Sequence, residues 1–115
     1  MPAVTLVSPL LLGKQEAWRR FCQKLLEARR DEHQEFCKRL GITKEQVWLA
    51  QTPQMDIVIV HLEAEHPERM LPSLIASNHS FDRWFRRQFL DLHGFELAQL
   101  SAGMPNELIF AWQTP

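Results

Sequence analysis

The sequence predicts an α+β domain in which helices cover one face of an antiparallel sheet. Three observations carry this prediction. Side chains alternate along Val47–Ala64 as they do in a β-hairpin, and apolar residues recur at helical spacing along Lys14–Leu40 and Phe81–His93. The order of these stretches along the chain is the third observation, because it determines which layers the elements can form.

Length and composition are those of one globular domain, and we expect residues 1–115 to form it. Hydrophobic residues make up 45% of the 115 residues and charged residues 23%, which argues against disorder and against a fibrous repeat. The formal net charge of -1 provides no basic field. Neither nucleic acid nor an anionic membrane is therefore expected as a partner.

The cysteines and the first residues indicate a cytoplasmic protein. Cys22 and Cys37 lie in predicted helical sequence without a Cys-x-x-Cys motif or a Cys/His ligand spacing, so reduced structural thiols are expected. The first residues lack a positively charged segment, and Pro9 and Gly13 interrupt them. We therefore expect neither a signal peptide nor a membrane span.

The first predicted element is a short strand, Ala3–Val7. Val4 and Leu6 alternate with Thr5 and Val7, so that the two pairs face opposite sides of a sheet. The dipeptide that follows, Ser-Pro, is a typical strand end. Residues 10–13 are then expected to form a loop that leads into helical sequence.

The second predicted element is helical and spans Lys14–Leu40. Its apolar residues recur at helical spacing, and Gly41 is a typical helix end. The apolar stripe is interrupted by the polar residues 27–35, EARRDEHQE. A break near Arg29 and Arg30 is favoured over one continuous helix with a solvated middle, which is the alternative.

The hairpin Val47–Ala64 contains a turn at Pro53 and Gln54. If Thr52 pairs with Met55 across that turn, the register of the two strands follows. Three cross-strand pairs are then predicted: Ala50 with Ile57, Trp48 with Ile59, and Gln46 with His61.

Alternation gives this hairpin two unlike faces. One is wholly aliphatic and suits the underside of a helix layer: Val47, Leu49, Val58, Val60 and Leu62. The other mixes apolar and polar side chains: Trp48, Ala50, Thr52, Met55, Ile57, Ile59, His61 and Glu63. The mixed face is the first place to look for a functional site.

Two further helices and a last strand complete the prediction. Pro67–Ala76 begins with a proline, which is favoured in the first turn of a helix. Phe81–His93 is strongly amphipathic, and its Asp82 is expected to pair with Arg86 one turn later. After a loop over residues 95–107, Leu108–Trp112 is predicted to be a strand.

This order of elements is the βαββαβ pattern of the ferredoxin-like fold, in which helices cover one face of the sheet. The mixed hairpin face would then remain bare as an apolar patch. Burial against a second copy would stabilise the assembly by about 1.5 to 3 kcal/mol for each large side chain. We therefore expect a homodimer in which two sheets pack face to face and form an α/β barrel.

Several stretches also resemble a known family. WLAQTP, VIVHLEAEHPERML and ASNHSFDRWFRRQFLDLHG, within residues 13–94, resemble small uncharacterised bacterial proteins of the dimeric α/β-barrel superfamily. The most telling residues are Ser77, Phe81, Asp82, Trp84 and Phe85. The resemblance implies the barrel fold but no catalytic residues, since the superfamily includes cofactor-independent monooxygenases, haem-degrading enzymes, isomerases and stress-induced proteins.

The candidate site lies on the mixed face of the hairpin. His61 is a candidate proton-transfer residue, because a partly buried imidazole can act as a base near neutral pH. Trp48, Ile57 and Ile59 are the candidate ligand-binding residues beside it. The alternative is that His61 is a hydrogen-bonded histidine at the dimer interface.

Other candidate motifs have structural explanations. His79 and Asp82 are either a proton-handling pair or a helix start with a favourable first-turn carboxylate. The basic and aromatic residues 83–87 fall on opposite sides of a helix, as in a packing helix. The remaining histidines, His33, His66 and His93, lie on different elements without a metal-binding spacing, so no metal and no cofactor are expected.

Two functions follow from these expectations. The first is a small-molecule-binding or stress-response module that is not an enzyme. The second is a cofactor-independent monooxygenase or isomerase that acts on a small apolar or aromatic substrate with His61 as the proton-transfer residue. The non-enzymatic dimer could also pack its interior shut, and a filled interior without a cavity lined by His61 would favour that structural interpretation.

Overall fold

The computed structural model describes residues 2–101 and 108–115 and has an α+β architecture. A three-stranded antiparallel sheet with the order β1-β3-β2 forms one layer, and helices cover one of its faces. The elements in chain order are β1 (Ala3–Pro9), α1 (Gln15–Leu26), α2 (Arg30–Leu40), β2 (Ile42–Gln51), β3 (Asp56–Ala64), α3 (Pro67–Ala76), α4 (Ser80–His93) and α5 (Ala98–Ser101).

The predicted hairpin register is confirmed. The pairs are Ala50 with Ile57, Trp48 with Ile59 and Gln46 with His61. The turn is closed by the Thr52 amide and hydroxyl, which both donate to the Met55 carbonyl, at 3.0 and 2.6 Å. Strand β2 begins earlier than predicted, at Ile42, because a bulge between Ile42 and Lys44 lets the first residues pair with the end of β3.

The predicted break in the first helical stretch is also confirmed. Helix α1 ends at Leu26 and α2 begins at Arg30. The amide of Arg29 donates to the Lys24 carbonyl at 2.8 Å, so the connection is a tight turn. Beyond the turn, the Arg29 guanidinium lies 4.1 Å from the centroid of the Trp84 ring, which is a cation–π contact between this turn and α4.

The core lies between the sheet and the helices. The larger of two buried clusters joins the sheet residues Leu6 and Leu62 to aromatic residues of α2 and α4, with Phe36 and Phe81 at 5.2 Å between ring centroids. The smaller cluster contains Leu10, Trp18, Val58 and Leu92. The aliphatic hairpin face therefore packs under the helices, as predicted, although Val47 near the sheet edge is partly exposed.

The predicted last strand is wrong. Leu108–Trp112 lies in neither a strand nor a helix, and its large apolar side chains are exposed. A β-prone sequence becomes a strand only where another strand accepts and donates its backbone hydrogen bonds, and in the described part of the chain no strand pairs with these residues.

The chain after α4 differs from the prediction in a second way. Residues 95–107 were expected to be loop, yet Ala98–Ser101 forms the short helix α5 and buries Leu97 and Leu100 against the larger cluster. Residues 102–107 lie outside the described part of the chain. Within the described residues, no helix has the length and apolar character needed to cross a membrane.

Candidate functional site

The pairing of β3 with both neighbours creates a ladder of three-residue rows across the uncovered side of the sheet. His61 lies between Thr5 and Gln46, Ile59 lies between Val7 and Trp48, and Ile57 lies between Pro9 and Ala50. Residues that pair directly across antiparallel strands point to the same side. We call the surface formed by these nine residues the open face.

All four candidate ligand-binding residues lie on the open face. Trp48 is 49% exposed, as is Met55 at the adjoining turn, while Ile57, Ile59 and His61 are half-buried by their neighbours. Two of the three rows contain only apolar residues. The open face is therefore a continuous apolar surface with one ionisable side chain, the imidazole of His61.

The imidazole of His61 has a defined hydrogen-bond partner. Its Nδ1 lies 3.2 Å from the hydroxyl oxygen of Thr5, the residue directly opposite on β1. This hydrogen bond orients the ring and leaves Nε2 as the second polar atom of the imidazole. The sequence did not identify Thr5 as the partner of His61, because local patterns do not say which strand pairs with the second edge of β3.

A small cavity lies on the other side of the sheet. It has a volume of about 120 Å³ and is lined mainly by apolar core residues, with Ser8, Cys22 and His93 among the few polar ones. His61 does not line this cavity. The interior space of the single chain is thus separated by the sheet from the candidate proton-transfer residue.

His93, at the edge of that cavity, has a structural role. Its Nδ1–H donates to the Pro9 carbonyl at 2.9 Å, which links the end of α4 to the end of β1. Burial lowers the pKa of His93, although the hydrogen bond to Pro9 opposes the shift. The imidazole is therefore held in its neutral form inside the fold.

A wider cleft of about 700 Å³ lies between α1, α2 and β2. It contains both cysteines, together with His33 and Glu45. Glu45 faces this cleft because it pairs with the buried Leu62 and so points to the helix-covered side of the sheet. We call the group formed by His33, Cys37 and Glu45 the cleft triad.

The cleft triad brings together three potential ligand atoms. Nε2 of His33 lies 3.2 Å from Oε1 of Glu45 and 3.6 Å from Sγ of Cys37, and the three atoms all lie within 4.8 Å of one another. His33 and Cys37 are one helical turn apart on α2. The cysteines were expected to lack a Cys/His ligand spacing, and this expectation is wrong. Residues 33–37, HQEFC, place an imidazole and a thiol on one helix face.

The two thiols of the cleft have different surroundings. Both cysteines are free. Burial raises the pKa of the Cys22 thiol to about 11, and the negative charge of Glu45 adds to the shift, so Cys22 is a protonated and unreactive thiol at neutral pH. Hydrogen bonds to Cys37 and Glu45 hold the pKa of His33 above its usual range, against the opposing effect of burial.

Asp82 forms an ion pair that the sequence did not predict. Its carboxylate is fully buried and accepts two hydrogen bonds from the Arg39 guanidinium, at 2.7 and 2.8 Å. Burial alone would raise the pKa of Asp82, but hydrogen bonds from Arg39 and Ser77 hold it below its usual value. The expected partner, Arg86, instead donates to the Leu74 carbonyl at 2.6 Å.

The proposed proton-handling pair of His79 and Asp82 is therefore part of a structural network. His79 lies 3.4 Å from Glu35, and Glu35 also pairs with Arg39 at 3.1 Å. His79 is the N-cap residue of α4, but its side chain makes no capping hydrogen bond. These contacts attach the start of α4 to α2.

The aromatic residues of α4 pack inside the fold, as predicted for an amphipathic packing helix. Trp84 and Phe85 both contact Phe21 of α1, with 5.6 Å between ring centroids in each case. Arg83 and Arg87 are exposed, whereas Arg86 is bound to α3. The basic and aromatic side chains of this helix thus do not form one binding surface.

The fold and these two regions define a small α+β domain with a three-stranded antiparallel sheet, one open face and one cleft under the helices. Comparison of the chain with models of protein families, with curated proteins and with solved structures finds no match.

Proposed function

We propose that this protein is a small-molecule-binding homodimer in which the open faces of two copies pack together and enclose the ligand site. The observation that carries the proposal is the open face itself, an apolar surface on which the His61–Thr5 pair supplies a polar contact. The corresponding assembly is the α/β barrel expected from the sequence, with three strands from each copy in place of the four of the ferredoxin-like pattern.

The apolar character of the open face supports the dimer. An uncovered sheet face normally carries polar side chains, yet two of its three rows are apolar and include the half-exposed Trp48. Covering such residues contributes about 1.5 to 3 kcal/mol for each large side chain. A second copy of the chain is a suitable partner, because a two-fold interface is formed by the same surface on both subunits.

The C-terminal segment fits the same proposal. Leu108, Ile109, Phe110 and Trp112 are exposed in the single chain. Side chains of this size are depleted from free surfaces when they are adjacent, and a second copy is an available surface that would cover them. The free thiols of Cys22 and Cys37 are compatible with a cytoplasmic, reducing environment, where we place the dimer.

The chemistry of the open face defines the ligand class. Ile59 offers an aliphatic contact and Trp48 a flat aromatic one, and the adjacent row offers His61 with its partner Thr5. A small aromatic molecule with one polar group matches this combination, because its ring stacks on apolar side chains and its polar group bonds to the imidazole. His61 and Trp48 thus act as binding residues.

The dimer is tested by light scattering coupled to gel filtration. We expect a homodimer at micromolar concentration, and we expect Trp48→Glu to yield a folded monomer because it places a charge at the centre of the interface. Leu26→Glu is the matched control, since Leu26 is an exposed apolar residue on the helix-covered side. A wild-type monomer near 13.5 kDa would contradict the proposal.

Ligand binding is tested by NMR. We expect small aromatic and quinone-like compounds to shift the His61 ring resonances and to leave those of His66, an exposed histidine at the start of α3, unchanged. His61→Ala should weaken binding while preserving the dimer. If no compound shifts His61 and the variant still dimerises, the ligand-binding role is wrong and the dimer has another purpose.

The His61–Thr5 hydrogen bond favours an enzyme as the second candidate function. It orients the imidazole toward the space that two open faces would enclose, where His61 can accept or return a proton of a bound substrate. An isomerase or a cofactor-independent monooxygenase would use such a residue. Turnover of a bound compound that His61→Ala abolishes, with binding retained, would identify an enzyme.

A further inference from the structure

We propose that the cleft triad, formed by His33, Cys37 and Glu45, is a binding site for a divalent metal ion of the zinc class. The three residues provide an imidazole nitrogen, a thiol sulfur and a carboxylate oxygen from two adjacent elements, α2 and β2. Each of these groups is a common ligand of zinc in proteins.

The distances between the donor atoms fit a tetrahedral ion. Bonds of about 2.0 to 2.3 Å at tetrahedral angles place neighbouring ligand atoms about 3.3 to 3.8 Å apart. Two of the separations are 3.2 Å, between His33 and Glu45, and 3.6 Å, between His33 and Cys37. The third is within 4.8 Å, so a small rotation of one side chain would complete the arrangement.

The elements that hold the cleft triad are rigidly connected. His33 and Cys37 lie on the same face of α2, one turn apart, so their separation is set by helix geometry. Gly41 joins α2 directly to β2 in the left-handed conformation, with a φ of 72°, and its amide donates to carbonyls of the last turn. Glu45 is therefore held beside the helix by a connection without a flexible loop.

The donor set selects the class of ion. Magnesium and calcium prefer oxygen ligands throughout, whereas one sulfur, one nitrogen and one oxygen suit zinc or cobalt. Three protein ligands leave a fourth position for a water molecule or another ligand, and the cleft of about 700 Å³ gives that position access to solvent. When the ion binds, the Cys37 thiol and Nε2 of His33 each lose a proton to solvent, and no group is oxidised or reduced.

This site is independent of the proposed small-molecule site. Glu45 points to the helix-covered side of the sheet, whereas Gln46, the next residue, belongs to the open face with His61. Failure of the dimer or of ligand binding at the open face would leave the metal proposal unaffected, and the converse also holds.

Titration of the metal-free, untagged 115-residue chain with Co²⁺ provides the test. We expect one ion per chain, an absorption band in the near ultraviolet from the cobalt–thiolate bond, and visible bands of the intensity typical of tetrahedral cobalt. Addition of Zn²⁺ should remove these bands by displacing Co²⁺. Absence of the thiolate band would overturn the assignment and would leave the cleft triad as a hydrogen-bonded contact between α2 and β2.

Variants identify the ligands. Cys37→Ser, His33→Gln and Glu45→Gln should each weaken Zn²⁺ binding by at least about tenfold, since loss even of residues behind the ligands of a metal site costs roughly 10- to 100-fold. Cys37→Ser should also abolish the thiolate band. Circular dichroism checks that each variant is folded, and Glu45→Gln is the most conservative of the three because its side chain lies at the edge of the cleft.

Two control variants separate a built site from unspecific binding. Cys22→Ser removes the other thiol of the same cleft, and His66→Gln removes an imidazole from an exposed ion pair. Both should retain wild-type affinity and the thiolate band. Equal losses in Cys22→Ser would overturn the three-ligand assignment, and undiminished binding in all cleft-triad variants would overturn the site.

Discussion

The two sides of the sheet contain alternate residues of the same strands, and they lie in opposite environments. On the helix-covered side Val58 and Leu62 are only 3% and 4% exposed, while Trp48 and Ile59 face away from the helices. Within residues 2–101 and 108–115, the helices cover one side of the sheet alone. One side of the sheet therefore stabilises the fold, and the other is left for a partner or a ligand.

The polar groups differ between the two sides in the same way. Among the helices, the buried carboxylate of Asp82 binds Arg39, as a buried charge must be paired, and the more exposed carboxylate of Glu45 pairs with His33. On the open face, His61 bonds to the hydroxyl of Thr5, and the apolar row of Val7, Ile59 and Trp48 lies directly beside it. The first kind of polar group holds elements together, and the second kind is suited to a bound molecule.

The largest expected effect concerns the helix-covered side. Phe81→Ala should lower the free energy of unfolding by about 3 to 5 kcal/mol, because Phe81 is almost fully buried and contacts Phe36. Chemical denaturation measures this change. Leu12→Ala is the control, since Leu12 is fully exposed and belongs to neither the open face nor the C-terminal segment. A loss below about 1 kcal/mol for Phe81→Ala would show that α4 does not pack on the core as described.

Two variants with substitutions on β3 and β2 compare the two sides of the sheet directly. Leu62→Ala should lower the free energy of unfolding by about 2 to 5 kcal/mol at any protein concentration. Trp48→Ala should change it by less than about 1 kcal/mol where the chain is monomeric, and by more where wild type is dimeric. Denaturation at two protein concentrations distinguishes these cases. Equal effects of the two variants at low concentration would remove the contrast between the sides.

The third prediction concerns the Arg39–Asp82 ion pair. Arg39→Met should lower the free energy of unfolding by about 2 kcal/mol at neutral pH, which is less than the roughly 3 to 5 kcal/mol of a fully buried broken pair because Arg39 is partly exposed. The pKa of Asp82 is lower in the folded wild type than in the unfolded chain. The ionised carboxylate therefore stabilises the fold above the pKa of the unfolded chain, and this stabilisation is lost as the pH falls through the pKa of the folded chain.

In Arg39→Met the pH dependence of this group should weaken. Without the guanidinium, burial is opposed only by Ser77 and His79, so the pKa of Asp82 rises and protonation costs less stability than in wild type. The loss of stability caused by the variant should therefore shrink as the pH is lowered toward the acidic range. Arg83→Met, at an exposed position of α4, is the control. An acid profile identical to that of wild type would contradict the role of this pair.

The smallest expected effect concerns His93. Its pKa is lowered by burial from 6.5, so the unfolded chain binds a proton more readily than the folded one, and stability should fall as pH drops below about 6.5. The loss levels off below the folded pKa. His93→Gln, which can still donate to Pro9, should flatten this part of the profile. A stability profile that keeps its full slope in the variant would assign the effect to another group.

Much of the local structure could be predicted from the sequence. The alternation along Val47–Ala64 correctly indicated the hairpin, its register and the side that the helices cover, because strand geometry sends successive side chains to opposite faces. The polar residues 27–35 correctly indicated the break between α1 and α2, since a helix without an apolar stripe has nothing to pack against.

The contacts between distant elements could not be predicted in this way. Asp82 was assigned to Arg86, one turn away, because local spacing favours that pair, but packing of α4 beside α2 brings Arg39 to it instead. The strand over Leu108–Trp112 failed for a related reason. Strand propensity describes a side chain's fit to a sheet and does not supply the neighbouring strand.

The sequence by itself thus determined where the helices and strands up to His93 form, which residues share a strand face, and that His61 and Trp48 lie together on one face of the hairpin. Only the tertiary structure decided that His33 and Cys37 meet Glu45, that Asp82 binds Arg39, and that Thr5 bonds to His61. The physical reason is one of range. Periodicity follows from the backbone geometry of a few residues, whereas these contacts depend on how whole elements pack, to which every residue of the core contributes.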